Sequence, residues 1–417
     1  MPVLLNEDYD YELPKMFKVR QIFNDDKLEN IEETLNLELA KTEIKDMIRP
    51  GMKIAVAVGS RGINHINEIV KIVIDYLLER GAEPFIVSAM GSHGGGTTKG
   101  QREVLSSYGI TEEAMGVPVI TDVTSVEIGR LKDGQPVYFD KVALDADFIV
   151  PINRIKLHTD FSGELQSGLC KMLVIGLGNQ KGCSMMHEVA PENFAKKLEE
   201  AARLILEKAN VGFGVGIMEN AYEDTCLIEA IAASRFIERE KELVKRCSEL
   251  MSFIRIKKAD MIIVDQIGKD ISGAGYDPNI LGRSTMLTRF VLPIPDFQRM
   301  ILCGVSEKSH GNAIGMGFFD IILKKVLDDL DYEAMYTNAA AVRSIEDVKV
   351  PLTAENLEEA VRIAAKTCRG IDLKNLRIIH IKDTLSLGEI EVSEPLLEEV
   401  KENEYLVITG VGNSLKK

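Results

Sequence analysis

Short, nearly all-apolar runs punctuate the chain, and helical patterns separate them. Residues 53–59 (KIAVAVG) and 83–90 (EPFIVSAM) are two such runs, the pattern of strands buried on both faces. Between them, residues 63–80 place Ile66, Ile69, Val70, Val73 and Leu77 on one helical stripe, and Gly81 closes it. The succession predicts a βαβ unit, hence a parallel sheet with a right-handed crossover. A helix over 98–108 and strands over 117–121, 137–139 and 147–152 are expected next, with a polar turn at 132–134. Residues 191–208 read as a helix with Pro191 at its start, 211–218 as a strand and 228–256 as helical.

A second region opens with a buried strand over 259–267, then a glycine-rich loop over 268–282. Segments 299–305 and 318–329 continue the α/β alternation, 355–366 predicts an amphipathic helix capped by Thr353, and 376–381 and 405–409 read as late strands. Residues 1–52 look like a polar leading arm with a helical segment over 30–48. The expectation is an α/β protein of two domains. One, 1–257, has a mostly parallel, Rossmann-like sheet flanked by helices; the other, 258–417, is a smaller C-terminal α/β domain.

Composition narrows the partners. A chain of 417 residues is long for one ordinary domain. A net charge of −15 and the lack of any basic run argue against nucleic acid, which wants clustered Lys and Arg. The six cysteines are scattered without a C-x-x-C pair, so they read as reduced thiols. The N-terminus is acidic rather than leader-like, and no apolar run nears the roughly 18–20 residues a bilayer span requires. A cytoplasmic protein with no membrane partner is expected.

The candidate chemistry gathers in residues 151–188. His158 and His187 lie there with Lys171 thirteen residues after the first and sixteen before the second, among Gly163, Gly168, Gly176, Gly178 and Gly182. His93 sits in an equally unusual loop, Gly91-Ser-His-Gly-Gly-Gly96. Ligands of open parallel sheets bind beyond the carboxyl ends of the strands. Arg61, His93 and His158 each follow a predicted strand, so the topology brings all three to one edge. The plainer readings are satisfied polar histidines, a flexible loop, and a lysine stem snorkelling from an apolar run. Against them stands a functional amine at Lys171 and a metal-binding imidazole at His187. Familiar nucleotide patterns do not fit. Residues 176–182 read G-x-G-x-x-x-G, one residue too long for the dinucleotide fingerprint, and neither a P-loop nor a G-x-S-x-G elbow occurs. An ordinary dehydrogenase, ATPase or serine hydrolase is not expected on that ground.

Taken together, NRIKLHTDFSGELQSGLCKMLVIGLGNQKGCSMMH and Gly91-Ser-His93 resemble the signature of the nickel-pincer-dependent lactate racemase family. The interval from Lys171 to His187 matches that family's lysine-to-histidine interval, and Arg61 stands where its carboxylate-binding arginine follows the first strand. The resemblance implies a two-domain fold with the active site in the interdomain cleft. It also implies a cofactor, a pyridinium mononucleotide with two sulfur-bearing arms and a carbon–nickel bond. Lys171 would hold it and His187 would complete the nickel's ligands, with covalent attachment at Lys171 left open. His93 and His158 would be the acid/base pair, Arg61 the substrate clamp, and Lys269 a second substrate contact. The implied activity is a racemase or epimerase inverting C2 of a 2-hydroxy acid, served by cofactor-synthesis proteins. Gly62 after the arginine and Gly-Gly-Gly after His93 differ from the better-known members, which points to a hydroxy acid other than lactate; the three extra residues between His158 and Lys171 bear instead on whether the cofactor is tethered covalently. Two alternatives stay open: an α/β protein binding an ordinary nucleotide or phosphate, and a non-catalytic cofactor-binding homologue. Oligomeric state is open too. Of the other histidines, His65 and His380 read as structural, and His310 as the one nearest a cleft.

Overall fold

A computed structural model describes residues 3–60 and 62–416, which leaves Arg61 outside the described residues. The chain forms two compact units, one of Asn24–Met251 and one of Met1–Phe23 with Ser252–Lys417. The polar leading arm therefore contains a strand that the sequence did not announce. Strand β1 (Met16–Gln21) alternates buried and exposed positions and pairs in the second unit's sheet.

In the first unit, β2 (Lys53–Val58), β3 (Glu83–Ser88) and β4 (Val119–Ile120) run parallel. A hairpin of β5 (Ser125–Arg130) and β6 (Pro136–Asp140) stands apart as its own two-stranded sheet, turning at Gly134. The main sheet continues with β7 (Phe148–Arg154), β8 (Phe213–Glu219) and β9 (Thr225–Ala232), in the order β4-β3-β2-β7-β8-β9. All neighbours are parallel except β9, which runs antiparallel to β8. The expected helix over 228–256 is thus two elements. Residues of the run TCLIEAIA finish the sheet as its edge, and the helix begins only at Phe236–Leu250. Apolar residues in that run are spaced for a pleat as much as for a helix, and the hairpin with β8 decides. Ile54, Val56, Val150, Ile152 and Val215 are fully buried between flanking helices. The stripe predicted on residues 63–80 is the buried face of helix Ile66–Glu79.

In the second unit, β10 (Met261–Val264), β11 (Arg299–Leu302), β12 (Ile321–Leu323), β13 (Leu352–Ala354) and β14 (Ile378–Ile381) form a parallel half-sheet. It is extended antiparallel by β15 (Glu389–Ser393), then β1, then β16 (Leu406–Val411). Helix Leu357–Thr367 is capped by Asn356, whose Oδ1 accepts the Glu359 amide at 3.0 Å. Thr353, the expected cap, belongs to β13. Asn356 wins because it stands directly before the first helical residue, where an extended residue with a short side-chain acceptor reaches the third amide. Among the described residues no helix is long and apolar enough to cross a membrane.

Candidate active site

Strands β3, β2 and β7 are parallel neighbours, so the loops leaving them start at one edge of the first unit's sheet. Ser60 leaves β2, and its Oγ makes a very short hydrogen bond with His93 Nδ1. Its carbonyl accepts from the Tyr108 hydroxyl at 2.7 Å. The His93 loop is held from beneath by Gln101, which is fully buried. The Gln101 Nε2 donates to the carbonyls of Gly91 (3.1 Å) and His93 (3.4 Å), while its Oε1 accepts from Ser88 Oγ at 2.6 Å. Gly94, Gly95 and Gly96 all take positive φ, a turn that side chains with a Cβ adopt only under strain. The triple glycine is therefore a conformational requirement of a fixed loop.

Lys171 sits in a short helical segment that starts at Leu169–Lys171 and widens into a π turn over Met172–Gly176. Its apolar neighbours Leu169, Cys170, Met172, Leu173 and Val174 are buried, which leaves the lysine as the polar exception on the segment. The segment packs on the strand ends so closely that a Cβ at Gly176 would stand 2.6 Å from the Ala89 carbonyl. Gly91 N–H donates to the Gly176 carbonyl at 3.0 Å, which ties the His93 loop to the lysine segment.

The Lys171 Nζ lies 2.7 Å from His158 Nε2, and His158 Nδ1 accepts the Asp160 amide at 3.0 Å. A neutral ring whose Nδ1 accepts carries its one proton on Nε2. That nitrogen faces Lys171, so the lysine and the ring hold each other in place. The ring is kept in place by its stack on Phe161, at 4.3 Å between centroids, and by the His158 amide donating to Gln166 Oε1 at 2.7 Å.

His187 ends helix Asn179–Met186, one turn after Cys183. The Cys183 hydrogen bond raises the imidazole's proton affinity against the opposing effect of burial; the charge of Asp160 adds to it and that of Lys171 subtracts. Burial pushes the Cys183 thiol up, but the His187 hydrogen bond and charge outweigh it and the thiol falls below its ordinary value. Ser92 Oγ lies 3.4 Å from Cys183 Sγ. Contacts thus join the His93 loop, Cys183 and His187, and a separate one joins Lys171 to His158, with the charge of Lys171 acting on His187.

The Lys171 segment also rests on a buried carboxylate. Glu240, on helix Phe236–Leu250, is fully buried, and its Oε2 accepts the Cys170 amide at 2.9 Å. Burial pushes Glu240 up to about 7, against the bonds from Cys170 and Leu169 that pull it down. A carboxyl raised in the fold keeps its proton where the unfolded chain has already lost it, so its contribution to stability falls as pH rises from about 4.5 to about 7. Glu240→Gln, which never ionises, is expected to gain on wild type between pH 5 and pH 8 by up to about 3 kcal/mol. Chemical denaturation at the two pH values reads this; a difference that does not change with pH would contradict it.

Of the residues expected from the sequence, His93, His158, Lys171 and His187 lie in the first unit, with Lys171 bonded to His158 and His187 linked through Cys183 to the loop of His93. Arg61 falls outside the described residues. Lys269 belongs to the second unit, where its amide donates to Ser309 Oγ at 3.0 Å and its Nζ to the Gly273 carbonyl at 2.7 Å. His310 is exposed there in a left-handed turn, and His380 is buried with Nε2 2.7 Å from Asp265. Among the described residues no three His, Cys, Asp or Glu side chains converge as a metal cluster. Ser60, Gln101, Cys183 and Glu240 were not singled out from sequence. Cys183 carried a usable signal, one turn before a histidine; Glu240 carried none.

Fold and site together define an α/β protein with a lysine and three histidines at the carboxyl edge of a parallel sheet. Residues 9–197 match the family described as the lactate racemase N-terminal domain. Among solved structures it is similar to the lactate racemase apoprotein from Thermoanaerobacterium thermosaccharolyticum, with a TM-score of 0.54 and 15% identity over 89% of this chain and 99% of that one. At that identity the likeness is one of fold. Comparison with curated proteins gives no match.

Proposed function

We propose that this chain is a racemase or epimerase that inverts C2 of a 2-hydroxy acid and works with a nickel-pincer nucleotide. The observation that carries the reading is the Lys171–His158 hydrogen bond, which fixes the lysine beside an imidazole and close enough for its charge to act on His187. These residues fit such a group. It needs a nucleophilic amine to be tethered by, and a single imidazole donor rather than a cluster of protein ligands. Lys171 would hold it, covalently where the amine reacts, and His187 would bind the nickel. Bound there, the cofactor supplies a hydride acceptor, and the organic chemistry is its own.

The protein's share is proton traffic and placement. Removing hydride from C2 leaves a planar 2-keto acid that can be reduced on either face. The hydroxyl proton must leave as hydride leaves, and a histidine within hydrogen-bond reach accepts it. His93, oriented by the bond between its Nδ1 and Ser60, is one proton handler. His158 has Nε2 committed to Lys171 until that amine is consumed by a bond that removes its lone pair; Nε2 is then released as the second proton handler. Arg61 stays the candidate for a bidentate carboxylate clamp, and Lys269 for a further substrate contact. Substrate is a small hydroxy acid, and the proteins that make the cofactor are the expected partners.

The test is a panel of single-enantiomer 2-hydroxy acids of increasing side-chain size, incubated with protein co-expressed with the cofactor-making enzymes and resolved by chiral chromatography. At least one is expected to approach a racemic or epimeric mixture. Retention of configuration across the panel by nickel-loaded protein would sink the assignment in favour of a cofactor carrier.

A further inference from the structure

We propose that Glu240 is a positioning residue that sets Lys171 against His158; its functional meaning rests on the proposed role of Lys171. The first amides of a helical segment lack intrahelical partners, and the residue before the segment normally supplies one from its side chain. Here that residue is Gly168, which has no side chain to offer. Glu240, from a helix far along the sequence, takes over. Its Oε2 accepts the Cys170 amide at 2.9 Å, and the Leu169 amide bonds the same carboxylate. These are the two residues immediately before Lys171.

Gly168 is required by this arrangement. A Cβ there would stand 2.5 Å from the Glu240 carboxyl carbon. On the other side, Asn153 Nδ2 at the end of β7 donates to the Gly168 carbonyl at 2.8 Å. The first turn of the lysine segment is therefore clamped between the sheet and helix Phe236–Leu250. Two convergent N–H donors call for a group that only accepts, which a carboxylate is and a packed leucine is not. Retaining a buried carboxyl raised to about 7 is unfavourable for stability at neutral pH, which argues for a purpose beyond filling the core. That purpose is the register of Lys171. A rise of about 1.5 Å per residue means that a slip of one residue takes Nζ out of hydrogen-bond reach of His158.

The experiment uses the full-length apoprotein and trinitrobenzenesulfonate, with the rate of modification at Lys171 followed by peptide mass spectrometry at pH 7.5. Glu240→Leu keeps the volume and removes the accepting oxygen, and should slow Lys171 at least tenfold while exposed Lys99 reacts as in wild type. Glu240→Gln keeps an oxygen where Oε2 accepts and should restore a rate near that of wild type. Folded Glu240→Leu modified at the wild-type rate would overturn the proposal. Where Glu240→Leu does not fold, Glu240→Met, which also lacks an accepting oxygen, decides: a rate at Lys171 equal to wild type overturns it equally. Since the bare amine is read without cofactor or substrate, failure of the racemase reading alone would leave this result unchanged.

Discussion

Lys171→Met is expected to abolish any covalent adduct and to lower hydroxy-acid inversion by on the order of a thousandfold. The segment that carries Lys171 is otherwise apolar and buried, so methionine is tolerated in packing and the fold should survive. What goes is the lysine nitrogen that lies 2.7 Å from His158 Nε2. A tethered cofactor stays at the site at high effective concentration, whereas a freely dissociating one must be bound anew. Denaturing intact-mass measurement and initial rates on the same preparation read both effects. A variant that keeps the adduct would place the attachment elsewhere; one that keeps full turnover without any adduct would remove Lys171 from the mechanism.

The histidines are expected to separate into two kinds. His187→Ala should lose bound nickel. His93→Ala and His158→Ala should each retain it and lose inversion by about a hundredfold to ten-thousandfold, the usual worth of a positioned proton carrier. Inversion passes through both faces of the planar intermediate, so removing either carrier stops the overall reaction in both directions. Metal analysis alongside turnover distinguishes the outcomes. Nickel retained by His187→Ala, or turnover retained by both of the other two, contradicts the roles.

Much of the first unit was legible because its signals are local. The run KIAVAVG, the stripe from Ile66 to Leu77 and the run EPFIVSAM form β2, helix Ile66–Glu79 and β3 with small shifts at the ends. The same logic placed His93 and His158 at strand ends before any coordinate was known. What escaped was set by partners distant in sequence. MFKVRQ is an unremarkable polar-arm segment until β15 and β16, nearly four hundred residues later, flank it. TCLIEAIA is a strand because β8 lies beside it. Glu240 reads as one more charge on an acidic helix, and only the approach of the Leu169–Lys171 segment makes it a buried cap. The glycines were seen but partly misjudged. Gly176 serves close packing on Ala89, and only the Gly94–Gly96 turn needs the left-handed backbone.

The central claim is that one site on the first unit's sheet edge holds a nickel-bearing nucleotide between Lys171 and His187. Native mass spectrometry with metal analysis, on protein co-expressed with the cofactor-making enzymes, tests it most directly. One nucleotide-sized increment and one nickel per chain are predicted, with the increment reduced in Lys171→Met and the nickel lost in His187→Ala. An unmodified, nickel-free chain from cells that demonstrably make the cofactor would contradict the account.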